Sequence, residues 1–215
     1  MSQQRKSHHA IDPMFTCRWS PRAFDGEPID EPTLMRFFEA ARWAPSSFNA
    51  QPWRFLYGRR DTPAWQPLHD ALHEFNRGWA HRAAVLVAVL SKTRWVPPGK
   101  TQPQPIASHS FDTGAAWASL AFQATLLGWH AHAMGGFDRD QLRQALGIPK
   151  DYAIETVVAI GWRTDKEVLP EALQEREVMS QRLPLEHIVA EGRFRFGDAV
   201  APGASPAAVP AKVPA

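Results

Sequence analysis

Cysteine is nearly missing from this chain, and several familiar devices are missing with it. Cys17 stands alone among 215 residues, so no intrachain disulfide and no Cys-x-x-Cys metal or redox pair can form. That fits a reducing compartment, and the cytoplasm is the expected location. The polar stretch Met1–Ala10 lacks the apolar core of a secretory signal. The longest apolar run, Ala83–Leu90, falls far short of the ~20 residues a spanning helix needs; a soluble protein away from membranes is expected. Net charge is only +2 and no basic block is interleaved with aromatics, which argues against nucleic acid as a partner. No Gly-x-Gly-x-x-Gly follows a strand-like run, no Walker loop is present, and no internal repeat appears. A nucleotide cofactor, if held, is therefore held by something other than a dinucleotide or P-loop fold.

What the chain does have is apolar material and punctuation. An apolar content of 44% with 21% charged residues suits one well-buried globular domain, and most of the nine tryptophans are expected in the core or an interface. Asp30 caps a helix opening at Glu31-Pro32, where Leu34, Phe37, Phe38 and Ala41 form one apolar face and Pro45 marks the end. Trp53–Tyr57 reads as a strand closed by Gly58, Pro67–Arg82 as a helical stretch, and Ala83–Leu90 as a strand covered on both faces. Residues 91–107, with Pro97, Pro98, Pro103 and Pro105, read as the longest internal loop. A long helix spans Ser108–Gly128, with Gly114, Ala115, Ala118 and Ala121 as a small-residue face. A strand follows at His130–Met134, then a Gly135-Gly136 turn, a helix capped by Asp138 and ending at Gly147, and a strand over Tyr152–Trp162. The fold class expected is α+β, a central mixed sheet flanked by helices. Residues 1–12 are expected to be a flexible N-terminus, 13–190 the folded domain, and 191–215 an Ala/Pro-rich tail or arm.

Three patterns carry chemistry. Arg18, Ser20 and Arg22 alternate, and Pro21 biases Ser20 toward an extended backbone. Residues i, i+2 and i+4 then share a face, offering two guanidiniums and a hydroxyl to phosphate oxygens; the plain alternative is a solvated arginine pair beside a turn. Pro45, Ser46, Ser47, Asn49 and Gln51 sit on a proline-bounded loop, with Pro52 holding Gln51 extended. Their hydroxyls and carboxamides match the acceptor–donor–acceptor edge of a flavin pyrimidine, and an ordinary helix-to-strand connection has the same composition. Gly135 and Gly136 permit close approach of backbone N–H groups to a ligand atom such as flavin N5, or simply make a turn. Together the three read as an FMN site. His130 and His132 alternate on a strand with no third ligand nearby and read as a packed or exposed pair rather than a zinc site. Cys17, with no histidine or asparagine arranged beside it, receives no catalytic role.

In order along the chain stand Arg-x-Ser-x-Arg-x-Phe (Arg18–Phe24), Ala-Pro-Ser-Ser-x-Asn-x-Gln-Pro-Trp (Ala44–Trp53), the apolar strand Val85–Leu90, and Leu-Gly-Trp (Leu127–Trp129). Gly-Gly-Phe-Asp (Gly135–Asp138), Leu-Gly-Ile-Pro (Leu146–Pro149), Ile-Gly-Trp-Arg (Ile160–Arg163) and Arg-x-Pro-Leu-Glu (Arg182–Glu186) follow. From Phe15 to Val189 this order resembles the nitroreductase family of FMN-dependent oxidoreductases. The resemblance implies a nitroreductase-like fold, a homodimer with flavin at its interface, and ping-pong hydride transfer from NADH or NADPH through flavin N5 to a nitroaromatic, quinone or similar small acceptor. It implies Arg18 and Arg182 on the FMN phosphate, Ser20 on the phosphate or ribityl end, and Arg22 near N1 and O2. Ser46, Ser47 and Asn49 are implied from the partner subunit, Asn76 on the pyrimidine edge and Gly135 toward N5 beside Gly136, with Trp19, Pro45, Gln51 and Met134 also against the cofactor. No side-chain acid, base or nucleophile is implied, because the flavin carries the chemistry. Other flavin chemistry on the same scaffold (dehalogenation, azoline oxidation, flavin fragmentation) and non-enzymatic flavin binding remain open. Two departures from the family pattern stand out: Trp19 occupies a position usually basic, and Ser180 stands where a basic residue often precedes the last phosphate arginine by two.

Overall fold

The computed structural model describes residues 5–197, which fall into two compact units. One comprises residues 7–177, and the other joins residues 5–6 to 178–197.

The larger unit is built on a four-stranded sheet of β1 (Trp53–Arg59), β2 (Val85–Lys92), β5 (Trp129–Met134) and β6 (Tyr152–Trp162), in the spatial order β1-β2-β6-β5. The expected mixed sheet is, among the described residues, antiparallel in every pairing. β2 shows why its sequence is continuously apolar. Val85, Val87 and Val89 face one layer and Leu86, Ala88 and Leu90 the other, and helices cover both sides, so neither set of alternating side chains meets water.

On the valine side lie α2 (Glu31–Arg42) and α5 (His109–Leu126), packed on each other and on the sheet through Leu34, Phe37, Ala41, Ala116, Leu120 and Ala124. Asp30 caps α2 by accepting from the Thr33 amide at 2.6 Å. The close-packed stripe of α5 runs along Ala116, Leu120, Ala121 and Ala124; of the expected face Gly114, Ala115, Ala118 and Ala121, only Ala121 is fully buried, Ala115 and Ala118 are half-buried and Gly114 is exposed. On the other side lie α3 (Trp65–Asp70), α4 (Glu74–Ala80) and α6 (Arg139–Ala145), contributing Trp65, Leu68, Trp79 and Leu142. The single helix expected over Pro67–Arg82 is thus two. Leu72 leaves the helical path to bridge Phe137, and the His73 amide donates to the Gly136 carbonyl at 3.0 Å.

The proline-rich stretch after β2 is not a plain loop. β3 (Arg94–Trp95) and β4 (Gln104–Pro105) pair as a short antiparallel ribbon. A bulge in β6 leaves Glu155 opposite no β2 residue and aims its carboxylate at Ser110 Oγ, 2.6 Å away, and at Ser91 Oγ. This ties the start of α5 to the sheet. Two more short helices complete the unit, α1 (Pro13–Cys17), capped by Asp12, and α7 (Glu171–Gln174). Among the described residues no helix is long and apolar enough to cross a membrane.

In the smaller unit the regular structure is one 3-10 turn, Leu185–His187. Of the expected 191–215 tail, residues 198–215 lie outside the described residues, as do residues 1–4 of the expected flexible start.

Candidate flavin site

Edge strand β5 organises two of the three sequence patterns. Beside it runs the segment from Arg18 to Ala23. Arg18 leaves α1 with extended backbone, and its Nη1 donates to Ser20 Oγ at 3.3 Å, so the first guanidinium and the hydroxyl do share a face. Trp19 is buried, with the Arg163 guanidinium 5.9 Å from its ring centroid; a packing role explains why this position is not basic.

The segment is held by two residues that nothing in the sequence connects with it. His132 on β5 contacts the Pro21 carbonyl through Nδ1 at 3.0 Å. A carbonyl only accepts, so Nδ1 carries the proton. Glu177, just after α7, accepts from the Arg22 and Ala23 amides through Oε1 at 2.7 and 2.9 Å. Its other oxygen lies 3.8 Å from Arg22 Nη1. Burial lowers the Arg22 pKa and Glu177 opposes that shift.

Both strand histidines are neutral near pH 7. His132, its ring 4.7 Å from that of Trp79, is pushed down to about 4 mainly by burial, with Arg22 and Arg18 adding to it and the bond to Pro21 opposing. His130 is also lowered to about 4, by burial and then by Arg163 and Arg18. They form a packed pair under the arginine segment. Arg22 Nε, Glu177 Oε2, His130 Nδ1 and Trp79 Nε1 are all buried without a hydrogen-bond partner. So many unsatisfied polar atoms in one region is what a site built for a polar ligand shows.

Where β5 ends, the Gly135-Gly136 turn begins. The Gly136 carbonyl accepts from Asn76 Nδ2 at 2.9 Å and from the His73 amide at 3.0 Å, which brings Asn76 and the glycine turn together. A Cβ on Gly136 would stand 2.8 Å from Asn76 Nδ2, whereas a Cβ on Gly135 would meet nothing within 4 Å. Gly136 is thus glycine for packing, and Gly135 leaves open space into which a ligand can come close to the backbone. Met134, expected against the cofactor, instead has its side chain in the core, and its carbonyl accepts from Thr156 Oγ1 at 2.9 Å.

The third pattern lies elsewhere. Pro45–Gln51 precedes β1, the opposite edge of the sheet, and three strand spacings put those edges about 14 Å apart. Ser46 Oγ accepts from the Gln51 amide at 3.0 Å, and Gln51 Nε2 donates to the Asn49 carbonyl at 3.1 Å. Gln51, expected to be extended ahead of Pro52, has φ +46°, because these bonds fold it back over the loop; Phe48 and Asn49 are also left-handed at +51° and +53°. Buried Asp112 fixes the loop from below, accepting from the Ser47 amide at 3.1 Å and from Ser108 Oγ at 2.8 Å. Pro45, Ser47, Asn49 and Gln51 are exposed, and Phe48, 87% exposed, lies 6.5 Å by ring centroids from Trp95 of the ribbon.

In the smaller unit Arg182 Nη1 donates to Ser180 Oγ at 3.1 Å, and Arg5 Nε donates to the Ser180 carbonyl at 2.7 Å. Arg5 therefore brings a guanidinium to the position where the family pattern carries a basic side chain.

Known proteins share this architecture. A solved structure of an oxidoreductase containing FMN is 47% identical and superposes with a TM-score of 0.87 over 92% of this chain and 99% of its own. A nitroreductase family protein from Clostridium difficile 630, at 20% identity and a TM-score of 0.65 over 86% of this chain and all of its own, shares the fold. A Thermus thermophilus protein named NADH dehydrogenase is 32% identical over 201 residues, covering 80% of this chain and 91% of its own length. The Nitroreductase family profile matches residues 16–61 and 59–162, a span that includes the arginine segment, the strained loop, both sheet edges and the glycine turn, and on these grounds the chain belongs to the nitroreductase family.

Proposed function

We propose that this chain is an FMN-dependent oxidoreductase that works as a homodimer, passing electrons from NADH or NADPH to a nitroaromatic, quinone or similar small acceptor. The observation that carries the reading is the convergence of the Arg18–Arg22 segment and the open Gly135 backbone on one edge strand, beside buried polar atoms that lack partners. FMN, when bound, supplies the hydride-accepting chemistry that no side chain here offers.

The chain's residues bind and orient it. Arg18 and Ser20 offer charge-assisted and neutral donors to the phosphate end. Arg22 retains an unused Nε donor for the pyrimidine edge, and Asn76 holds the glycine turn so that the Gly135 backbone faces the ring. Ser46, Ser47 and Asn49 complete the site from a second copy, because on their own chain they occupy the far edge of the sheet. The Thermus relative's name and the FMN in the 47% identical structure support the donor and the cofactor.

An absorption spectrum of the purified protein, before and after soaking with FMN, tests the cofactor. Bleaching by NADH or NADPH and reoxidation by an acceptor panel tests the cycle, and equilibrium sedimentation tests the dimer. A colourless protein that takes up no FMN refutes the reading. A second reading, synthase chemistry on the same scaffold, draws on the 25% identity over 189 residues, 75% of this chain and 85% of the relative, to a Rhodospirillum rubrum protein named 5,6-dimethylbenzimidazole synthase. Product analysis after aerobic incubation with reduced FMN separates the two.

A further inference from the structure

The pair formed by Arg22 and Glu177 is not an ordinary ion pair. The Glu177 side chain is only 4% exposed, yet Oε1 is committed to the two backbone amides of Arg22 and Ala23. That anchor fixes the carboxylate against the turn of the chain. Oε2 stays 3.8 Å from Arg22 Nη1, beyond hydrogen-bond reach, and both Oε2 and Arg22 Nε are buried without a hydrogen-bond partner. A guanidinium free to close on a carboxylate makes two parallel short bonds. This one is held back, so its charge is offset while its donors stay available to a third group.

Resting on the FMN reading and going beyond it, we propose that Glu177 is a positioning residue that shapes the Arg18–Ala23 segment and neutralises Arg22, keeping the reduction potential of bound FMN low. Hydride uptake brings two electrons and one proton, so the reduced cofactor carries one more negative charge than the oxidised one. A cation beside the ring favours the reduced form, and a cation already balanced by a buried carboxylate favours it far less. The like-charged neighbour Arg176 adds to what Glu177 must offset.

Glu177→Gln separates shape from charge, because a carboxamide oxygen can still accept from both amides. The test is a spectroelectrochemical titration of the FMN-loaded variant against the parent protein, with FMN affinity measured in both redox states. The expected result is reduced FMN bound about tenfold more tightly relative to oxidised, a rise of about 30 mV for a two-electron couple. An unchanged potential in the folded, FMN-loaded variant overturns the proposal, as does equal weakening of both redox states, the mark of a purely structural role. If Glu177→Gln does not fold, the double variant Arg22→Gln/Glu177→Gln, which leaves no buried charge unpaired, carries the test. Arg22→Gln alone is expected to lower the potential and the double variant to return it toward the parent value; a double variant no different from Arg22→Gln overturns the proposal. Failure of the parent protein to bind FMN is a separate outcome and refutes the cofactor reading instead.

Discussion

Replacing Asn76 by aspartate changes one NH2 group to an oxygen, and the structure makes that a severe change. Asn76 is 9% exposed and its Nδ2 donates to the Gly136 carbonyl at 2.9 Å. In Asn76→Asp the ionised carboxylate turns an acceptor toward that acceptor. Losing one neutral hydrogen bond costs about 1 kcal/mol, and leaving a buried polar group unpaired adds about 1–3 kcal/mol. The expected destabilisation is therefore about 2–4 kcal/mol for Asn76→Asp near pH 8, against about 1 kcal/mol for Asn76→Ala, since the His73 amide still serves the carbonyl. The sign with pH is fixed by the geometry. Burial and the facing carbonyl disfavour the ionised carboxylate, so its folded pKa lies above the unfolded value of about 3.9. The penalty is full above that folded pKa and shrinks as pH falls toward about 3.9, where a protonated carboxyl donates to Gly136 as the amide did. Urea unfolding of the cofactor-free variant and parent protein, compared at each pH, reads this directly. A variant as stable as the parent at pH 8, or a difference that does not change with pH, would falsify the assignment of Asn76 as the clamp on the glycine turn.

Three further outcomes rest on the same geometry. The neutral histidines His130 and His132, with pKa values of about 4, contribute stability that is complete above the unfolded value of about 6.5 and is lost as pH falls from there through 4. The loss is on the order of 3 kcal/mol for His132 and less for the more solvent-accessible His130; His132→Asn, which keeps a donor for Pro21, should flatten the slope, and an unaltered slope would count against it. Arg18→Ala should weaken FMN binding by about 1.5–3 kcal/mol through loss of a charge-assisted phosphate bond, read by fluorescence titration, and equal affinities would remove Arg18 from the phosphate. In Gly161→Ala a Cβ would sit 2.6 Å from Phe24 Cδ1, on a fully buried ring. A stability loss of about 1–3 kcal/mol is expected from overpacking, and an unshifted thermal transition would show that Phe24 yields freely.

What could be read from the sequence was what its own neighbourhood decides. The cap at Asp30, the continuous apolar β2 and the alternation that puts Arg18 and Ser20 on one face need only adjacent residues. The break between α3 and α4 was not visible, because its cause is the distant bridge of Leu72 to Phe137. The β3–β4 ribbon was hidden by prolines that flank it and even enter it. Gln51 was misplaced because the rule for residues before proline was outweighed by its bonds to Ser46 and Asn49. The two clamps on the arginine segment lie 155 and 111 residues from their partners in sequence, and nothing around Glu177 or His132 ties either to that segment.

The strained loop sets the sharpest test of the dimer. Left-handed backbone at Phe48, Asn49 and Gln51 costs roughly 1 kcal/mol or more per residue, and buried Asp112 is committed to holding it. On its own chain the loop presents Ser47, Asn49 and Phe48 to solvent at the sheet edge away from Arg18, so an isolated copy gains nothing from the strain. In the proposed homodimer a second copy gains a ligand set. If so, Arg18→Ala and Asn49→Ala damage the two halves of a site that never lie on one chain. Each variant alone should bind FMN weakly at both sites. When the two are unfolded together and refolded, the mixed dimer carries one site with both lesions and one with neither. Half of its sites should then regain parental affinity, about a quarter of all sites in a statistical mixture of the three dimers. Recovery of none would place the loop and the arginine segment in the same copy's site, or the loop in no site at all.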